Sequence, residues 1–131
     1  MAVNTTPVFA DTPQTTLSEI VTANTARDGS GTIVDGYTGA AAASIVKYAK
    51  IQAIVTTTAG MVRIFLKKSG GAYELLDEVT VDAITVSGTV AGFSAIWRPP
   101  DGYLYLESGD VIGYAPNAAE AMNVWTIAED L

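Results

Sequence analysis

The sequence predicts an all-β, jelly-roll-like antiparallel sandwich preceded by an extended N-terminal arm, and three observations lead there. From residue 14 onward the chain is rich in Thr, Val, Ile and aromatic residues, cut at short intervals by clusters of Gly, Asp, Asn, Ser and Pro. No segment carries apolar residues at helical spacing over a useful length. Eight or nine short runs in 131 residues suit two packed sheets, and a chain of that length forms one domain able to bury roughly two-thirds of its unfolded surface.

The elements follow in order. Residues 1–13 read as the arm, because Pro7 and Pro13 frame a polar stretch holding Val8 and Phe9, and proline cannot donate to a central ladder. Residues 14–131 form the sandwich. A run from Leu17 to Ala26 is separated from Thr32–Tyr37 by Asp28-Gly29-Ser30-Gly31, a hairpin turn or a sharp corner. Ala40–Ala43 is too short to stand as a helix and reads as a loop or a close-packed crossing. Across Ile45–Thr58, Ile45, Ala49, Ile51, Ala53 and Val55 are placed toward a core, with Lys50, Gln52, Thr56 and Thr58 on the other side.

In Met61–Lys68, Val62, Ile64 and Leu66 point inward, and Arg63 and Lys67 outward. Ser69-Gly70-Gly71 turns the chain into Ala72–Val81, where Leu75, Val79 and Val81 oppose Glu74, Glu78 and Asp82. The two runs are expected to pair as a hairpin with opposite charges meeting across it. Thr89–Arg98 puts Ala91, Phe93, Ala95 and Trp97 on one face and ends at the turn Pro99-Pro100-Asp101-Gly102. Tyr103–Glu107 and Val111–Ala115 flank Ser108-Gly109-Asp110, and Met122–Ala128 closes the chain with Trp125 and Ile127.

Composition excludes much chemistry. Seven Lys and Arg against 14 Asp and Glu, with no His, give a net charge of −7. Without Cys or His there is no disulfide, no thiol nucleophile, no thiolate or imidazole metal site and no histidine base. The acidic balance speaks against direct nucleic-acid binding, since Lys67 and Lys68, with Arg63, form the sole basic cluster. No apolar stretch approaches the roughly 20 residues of a membrane span. The N-terminus carries neither a basic nor an apolar leader segment, so synthesis and retention in the cytoplasm are expected. Hydrophobic residues reach 49% and charged ones only 16%, an apolar balance that anticipates a partner surface.

The remaining candidates are few. Glu107 and Asp110, with Asp101 one strand earlier, could bind calcium or act as an acid/base pair, but their spacing fits no calcium loop and suits turn chemistry. Asp28-Gly29-Ser30-Gly31 is read as a turn for the same reason. Ser44 and Lys47 have dyad spacing, yet on a strand they fall on opposite faces. No catalytic, cofactor or metal residue is therefore assigned. Tyr37, Tyr48, Tyr73, Tyr103, Tyr105, Tyr114, Trp97 and Trp125 could line a sugar-binding face, with Tyr103 and Tyr105 the first expected to be exposed. Packing is the competing role, and Trp97 alternates in phase with Phe93. Arg63, Lys67 and Lys68 are expected to be solvated or paired with acids, the alternative being docking on an acidic protein surface.

Two stretches carry family resemblances. Leu104–Ile112, with its Leu-x-x-Gly-Asp-x-Ile core, looks like the late hairpin of many jelly rolls, including trimeric ones of the tumour-necrosis-factor and complement types. Thr22–Thr32 followed by Thr56–Phe65 resembles small structural proteins of tailed bacteriophages, over a similarity running from about residue 15 to the end. The phage resemblance implies a virion component without enzymatic activity. Its most similar members are capsid decoration or cement proteins, which often trimerise and clamp the major capsid protein with a terminal arm. Position and composition then single out Val3, Pro7, Val8 and Phe9 as shell contacts on the capsid surface, after assembly in the bacterial cytoplasm. The alternatives are a tail, neck or baseplate component and a carbohydrate-binding module.

Overall fold

A computed structural model describes residues 12–131. It contains nine strands: β1 (Thr12–Ile20), β2 (Val34–Thr38), β3 (Ser44–Ala53), β4 (Gly60–Lys67), β5 (Tyr73–Val81), β6 (Ser94–Trp97), β7 (Leu104–Leu106), β8 (Val111–Pro116) and β9 (Met122–Asp130). The pairing is nested: β1 with β9, β2 with β8, β3 with β6 and β7, and β4 with β5, all antiparallel. This is a long hairpin rolled on itself. The roll is closed by β3 on β9 and β4 on β8, giving one sheet in the order β1-β9-β3-β6, with β7 beside β3, and a second in the order β2-β8-β4-β5. The expected jelly-roll sandwich is the observed fold.

The first sheet begins at Thr12, so Pro13 lies inside β1 opposite Glu129 instead of closing the arm. Proline is tolerated there because β1 is an edge strand, with one side free of ladder partners. At its other end β1 stops at Ile20, well short of Ala26. Asn24 explains the stop: its side chain donates to the Ser30 and Thr32 carbonyls at 3.0 Å each and accepts from the Ala26 N–H, so local bonds replace the ladder. β1 and β2 sit in different sheets, and the segment between them is a corner, not a hairpin.

β3 corrects the simple alternation. Its pairing with β9 jumps between Val46 and Tyr48, a bulge that inserts Lys47 and shifts the inward phase. Ser44 and Val46 are therefore buried before the bulge and Ala49, Ile51 and Ala53 after it, whereas Ile45 faces out. The strand also ends at Ala53, leaving Val55 exposed in the loop. Ala91 likewise lies outside β6 and is exposed, while Phe93, Ala95 and Trp97 keep the expected phase.

The core between the sheets contains Ile20, Val46, Ile51, Val62, Ile64, Val81, Phe93, Leu106, Ile112, Met122 and Val124. Polar groups within it are paired across the layers. The hydroxyls of Tyr114 on β8 and Thr126 on β9 are 2.7 Å apart, and Ser18 on β1 donates to the Asp35 carbonyl on β2. Burial pushes the Tyr114 phenol up to about 12, against the opposing effect of its Thr126 bond. At the sandwich edge, the Trp97 indole N–H of β6 donates to Asp77 of β5 at 2.8 Å.

Candidate functional site

The two outer faces of the sandwich are treated differently by the chain. Over the second sheet, residues 21–33 form a covering loop. The Asn24 N–H donates to the Pro116 carbonyl at 2.9 Å, and Ile33 and Tyr73 close over Gly113, where even a Cβ would meet them at 2.7 and 2.9 Å. Phe65, on β4 next to that site, is completely buried and makes an edge contact with Tyr73. β8 is consequently buried on both faces.

The loop is fastened electrostatically. Arg63, 4% exposed, donates from Nε to Glu78 at 3.1 Å and from Nη1 to the Asn24 carbonyl at 3.1 Å. Glu78 is its direct cross-strand partner and also accepts from Arg27 at 2.9 Å. The expected meeting of charges across the β4–β5 hairpin is observed, but Arg63 is a buried clamp and not part of an open basic face. Lys68 pairs with Asp110, and Lys67 lies over the Tyr73 ring at 5.1 Å.

Nothing comparable from residues 12–131 covers the first sheet. The register sets Leu17, Trp125, Lys50 and Ile96 side by side across β1, β9, β3 and β6. A second row is formed by Thr15, Ile127 and Tyr48, with the Arg98 guanidinium 5.4 Å from the Tyr48 ring centre. A third sets Pro13, Glu129, Ile45 and Tyr105 in line. Leu17 is 48%, Ile96 51%, Trp125 38% and Tyr105 50% exposed, so large apolar groups remain open to water across the sheet. The face is mixed, with Lys50, Arg98 and Glu129 set among these apolar groups and Glu19, Asn123, Gln52 and Ser94 along one end, a composition suited to an interaction surface.

The other candidates fall into place around this face. Tyr103 and Tyr105 are exposed as expected, and Tyr105 belongs to the third row. Of the two tryptophans named for that face, Trp97 is core and Trp125 is a surface residue, joined there by Leu17 and Ile96, which the sequence did not single out. The alternation in β9 separates Trp125 and Ile127 from inward Met122, Val124 and Ala128, so large apolar residues stand on both sides of the strand. Pattern alone therefore gives no sign of which side faces water. Val3, Pro7, Val8 and Phe9 lie outside the described residues.

Glu107, Asp110 and Asp101 do not form a site. Asp110 is buried and accepts from the Ser69 and Glu107 N–H groups at 2.9 and 3.0 Å as well as from Lys68. Burial opposes its charge, but these bonds outweigh it and hold the carboxyl below its ordinary value. Glu107 is 3.8 Å from Lys68, and Asp101 lies apart in a one-turn 3-10 helix (Pro100–Gly102). The turn at residues 107–110 links β7 in one sheet to β8 in the other, so the Leu-x-x-Gly-Asp-x-Ile stretch is an inter-sheet corner and not a hairpin.

Ser44 is buried and donates to Asp130, while Lys47 points outward toward Glu129 at 3.7 Å, which separates the pair as expected. Asp130 also accepts from Tyr37 and Gln14, tying β9 to β1, β2 and β3. The Tyr37 and Ser44 bonds hold Asp130 below the usual carboxylate range. Asp28 accepts from the Ser30 N–H at 3.0 Å, a turn contact. Among the described residues no pocket is found and no group of three or more acidic side chains is placed to hold a metal.

No family model matches the chain. No curated protein matches it. Among solved structures it is similar to a chain from Bacillus endospore appendages, described as a family of disulfide-linked pili. That likeness has 19% identity, covers 98% of this chain and 99% of the other, and has a TM-score of 0.37. An overlap this loose transfers neither fold detail nor role.

Proposed function

We propose that this chain is a non-enzymatic structural protein of a tailed-bacteriophage virion, a capsid decoration protein that binds and stabilises the major capsid protein lattice as a homotrimer. The observation that carries the reading is the outer face of the first sheet, where Leu17, Trp125 and Ile96 are covered by nothing among the described residues. A sandwich that covers β8 with its own loop but leaves Leu17, Trp125 and Ile96 exposed on the other sheet is suited to packing against protein. The resemblance of Thr22–Thr32 and Thr56–Phe65 to phage structural proteins supplies the setting. In that setting Val3, Pro7, Val8 and Phe9, which lie outside the described residues, are the proposed contacts with the shell.

Quantitative mass spectrometry of purified particles tests it. A copy number near that of the major shell protein is expected. A many-fold lower number would move the protein to the tail, neck or baseplate, and absence from particles would end the virion reading. Trp125, Tyr48 and Tyr105 on one flat face favour a second reading, carbohydrate binding. Glycan binding lost in Trp125→Ala would replace the first.

A further inference from the structure

The outer face of the first sheet is close to neutral in a chain of net charge −7. Lys47, Lys50 and Arg98 project there against Glu19 and Glu129. The other cations are engaged elsewhere: Arg27 and Arg63 hold Glu78, Lys68 holds Asp110, and Lys67 lies over Tyr73. The acidic surplus therefore belongs to the rest of the molecule, and this face can meet its own copy without a large net repulsion.

Register decides how two such faces fit. Identical copies that meet face to face are related by a two-fold axis in the plane of contact. An axis along the strands, midway between β9 and β3, divides the columns β1, β9, β3 and β6 evenly and sets each row against itself. Leu17 then meets Ile96, Ile127 meets Tyr48, and Trp125 meets Lys50, which places apolar groups together and a cation over an indole. Lys47, 3.7 Å from Glu129 of its own chain, also faces Glu129 of the other copy, so two lysines and two glutamates alternate beside the axis. Asn123 meets Gln52, and their amides both donate and accept. An axis across the strands would instead set Arg98 against Ile96 and Glu129 against Asn123, pairing no opposite charges.

The area is sufficient. With strands about 4.8 Å apart and rows about 6.8 Å apart, the face measures about 19 Å by about 27 Å, so a pair buries about 1,000 Å², the lower limit of a specific interface. Twisted sheets packed face to face cross at about 30°, so the rows through Trp125 and Tyr48 carry the contact and the corners splay apart. From this we infer that two copies of this chain pair through the outer faces of their first sheets, about a two-fold axis running along β9 and β3. The inference rests on the proposed assembly role and names a second copy as the partner of this face. A two-fold contact does not build the proposed trimer; it joins a copy in one trimer to a copy in the next.

Sedimentation equilibrium of the full chain tests the two contacts separately. A mass of two copies, or of six where the trimer also forms, is expected. One copy or three overturns the two-fold pairing, and three leaves the trimer standing. Charge variants then locate the contact. Lys47→Glu gathers four carboxylates at the axis and Glu129→Lys four ammonium groups, so each is expected to pair with itself at least about tenfold more weakly than the unmodified chain. Mixed in equal amounts, the two variants should pair one to one, because each supplies the charge that the other lacks. The contact within each chain stays broken in that mixture, so recovery reports the contact between copies. Variants that pair as strongly as the unmodified chain, or a mixture that fails to pair, overturn the proposal.

Quenching by acrylamide, a neutral molecule, gives a readout independent of mass. Trp97 is buried, so quenching reports Trp125. At equal concentration Trp125 should be shielded in the unmodified chain and open in Lys47→Glu, and equal quenching in both overturns the pairing. Copy number in particles is a separate measurement: the pairing can fail while the virion reading stands, and the reverse.

Discussion

Gly36 and Tyr114 show how a single missing methyl group can set a strand. Gly36 sits where β2 slips its register against β8, between Asp35 and Tyr37, and a Cβ there would lie 2.2 Å from the Tyr114 ring. The ring is fully buried and its hydroxyl is held by Thr126, so it cannot give way. Gly36→Ala is therefore expected to cost about 1–3 kcal/mol, the usual penalty of overpacking, measured as a lower urea midpoint at unchanged slope. Wild-type stability in that variant would mean that the bulge can reopen. At this scale the sequence was half legible. It placed Val62, Ile64, Phe93 and Trp97 inward because polar neighbours marked the opposite side. The phase that put Phe93 and Trp97 inward also sends Ile96 outward, but Trp125 could not be sorted with the same ease, since large apolar residues stand on both sides of β9, Met122 and Val124 on one and Trp125 and Ile127 on the other.

At the level of elements, the loop over residues 21–33 is held more by polar bonds than by apolar area. Asn24 makes three side-chain bonds to it, and Arg63 reaches its backbone from below. Asn24→Ala is expected to lose about 2 kcal/mol and to speed amide exchange in residues 24–32 while leaving β9 protected. Uniform loss of protection would show that the loop and sandwich unfold as one unit. Arg63→Met should be milder than removal of most buried ion partners, because Glu78 keeps Arg27 and is partly solvated. Protease cleavage inside the loop should nevertheless rise. Strand existence was readable from turn chemistry, and the β4–β5 hairpin from its paired charges. The Lys47 bulge was not readable, because Ser44-Ile45-Val46-Lys47-Tyr48 fits either phase until β9 imposes its register. Nor does sequence spacing reveal that Asn24 reaches back to Arg63, a contact 39 residues apart.

For the molecule as a whole, nested pairing makes two carboxylates into fasteners whose charge can be titrated. Asp130 joins the last strand to β1, β2 and β3 through Gln14, Tyr37 and Ser44. Asp110 pins the corner between the sheets to Ser69 and Lys68 at the tip of the β4–β5 hairpin. Both are held below their ordinary value of 3.8 in the folded chain, so the unfolded chain binds protons more readily. Their contribution is fully present above pH values near 4 and is lost as pH falls through the lowered folded values. Stability should thus be level from neutrality to about pH 5 and should fall below about pH 4. Asp130→Asn and Asp110→Asn should each be less stable at pH 7 and take up as much as one proton fewer on acid unfolding. The Tyr37 phenol, pushed up to about 12 first by burial and then by its bond to Asp130, stays protonated throughout this range. The acid transition therefore belongs to the carboxylates. Calorimetry of the two variants between pH 2 and 7 measures the difference. If both match the unmodified chain over the whole range, the acid response arises from general charge repulsion, and the roll is closed by backbone pairing alone.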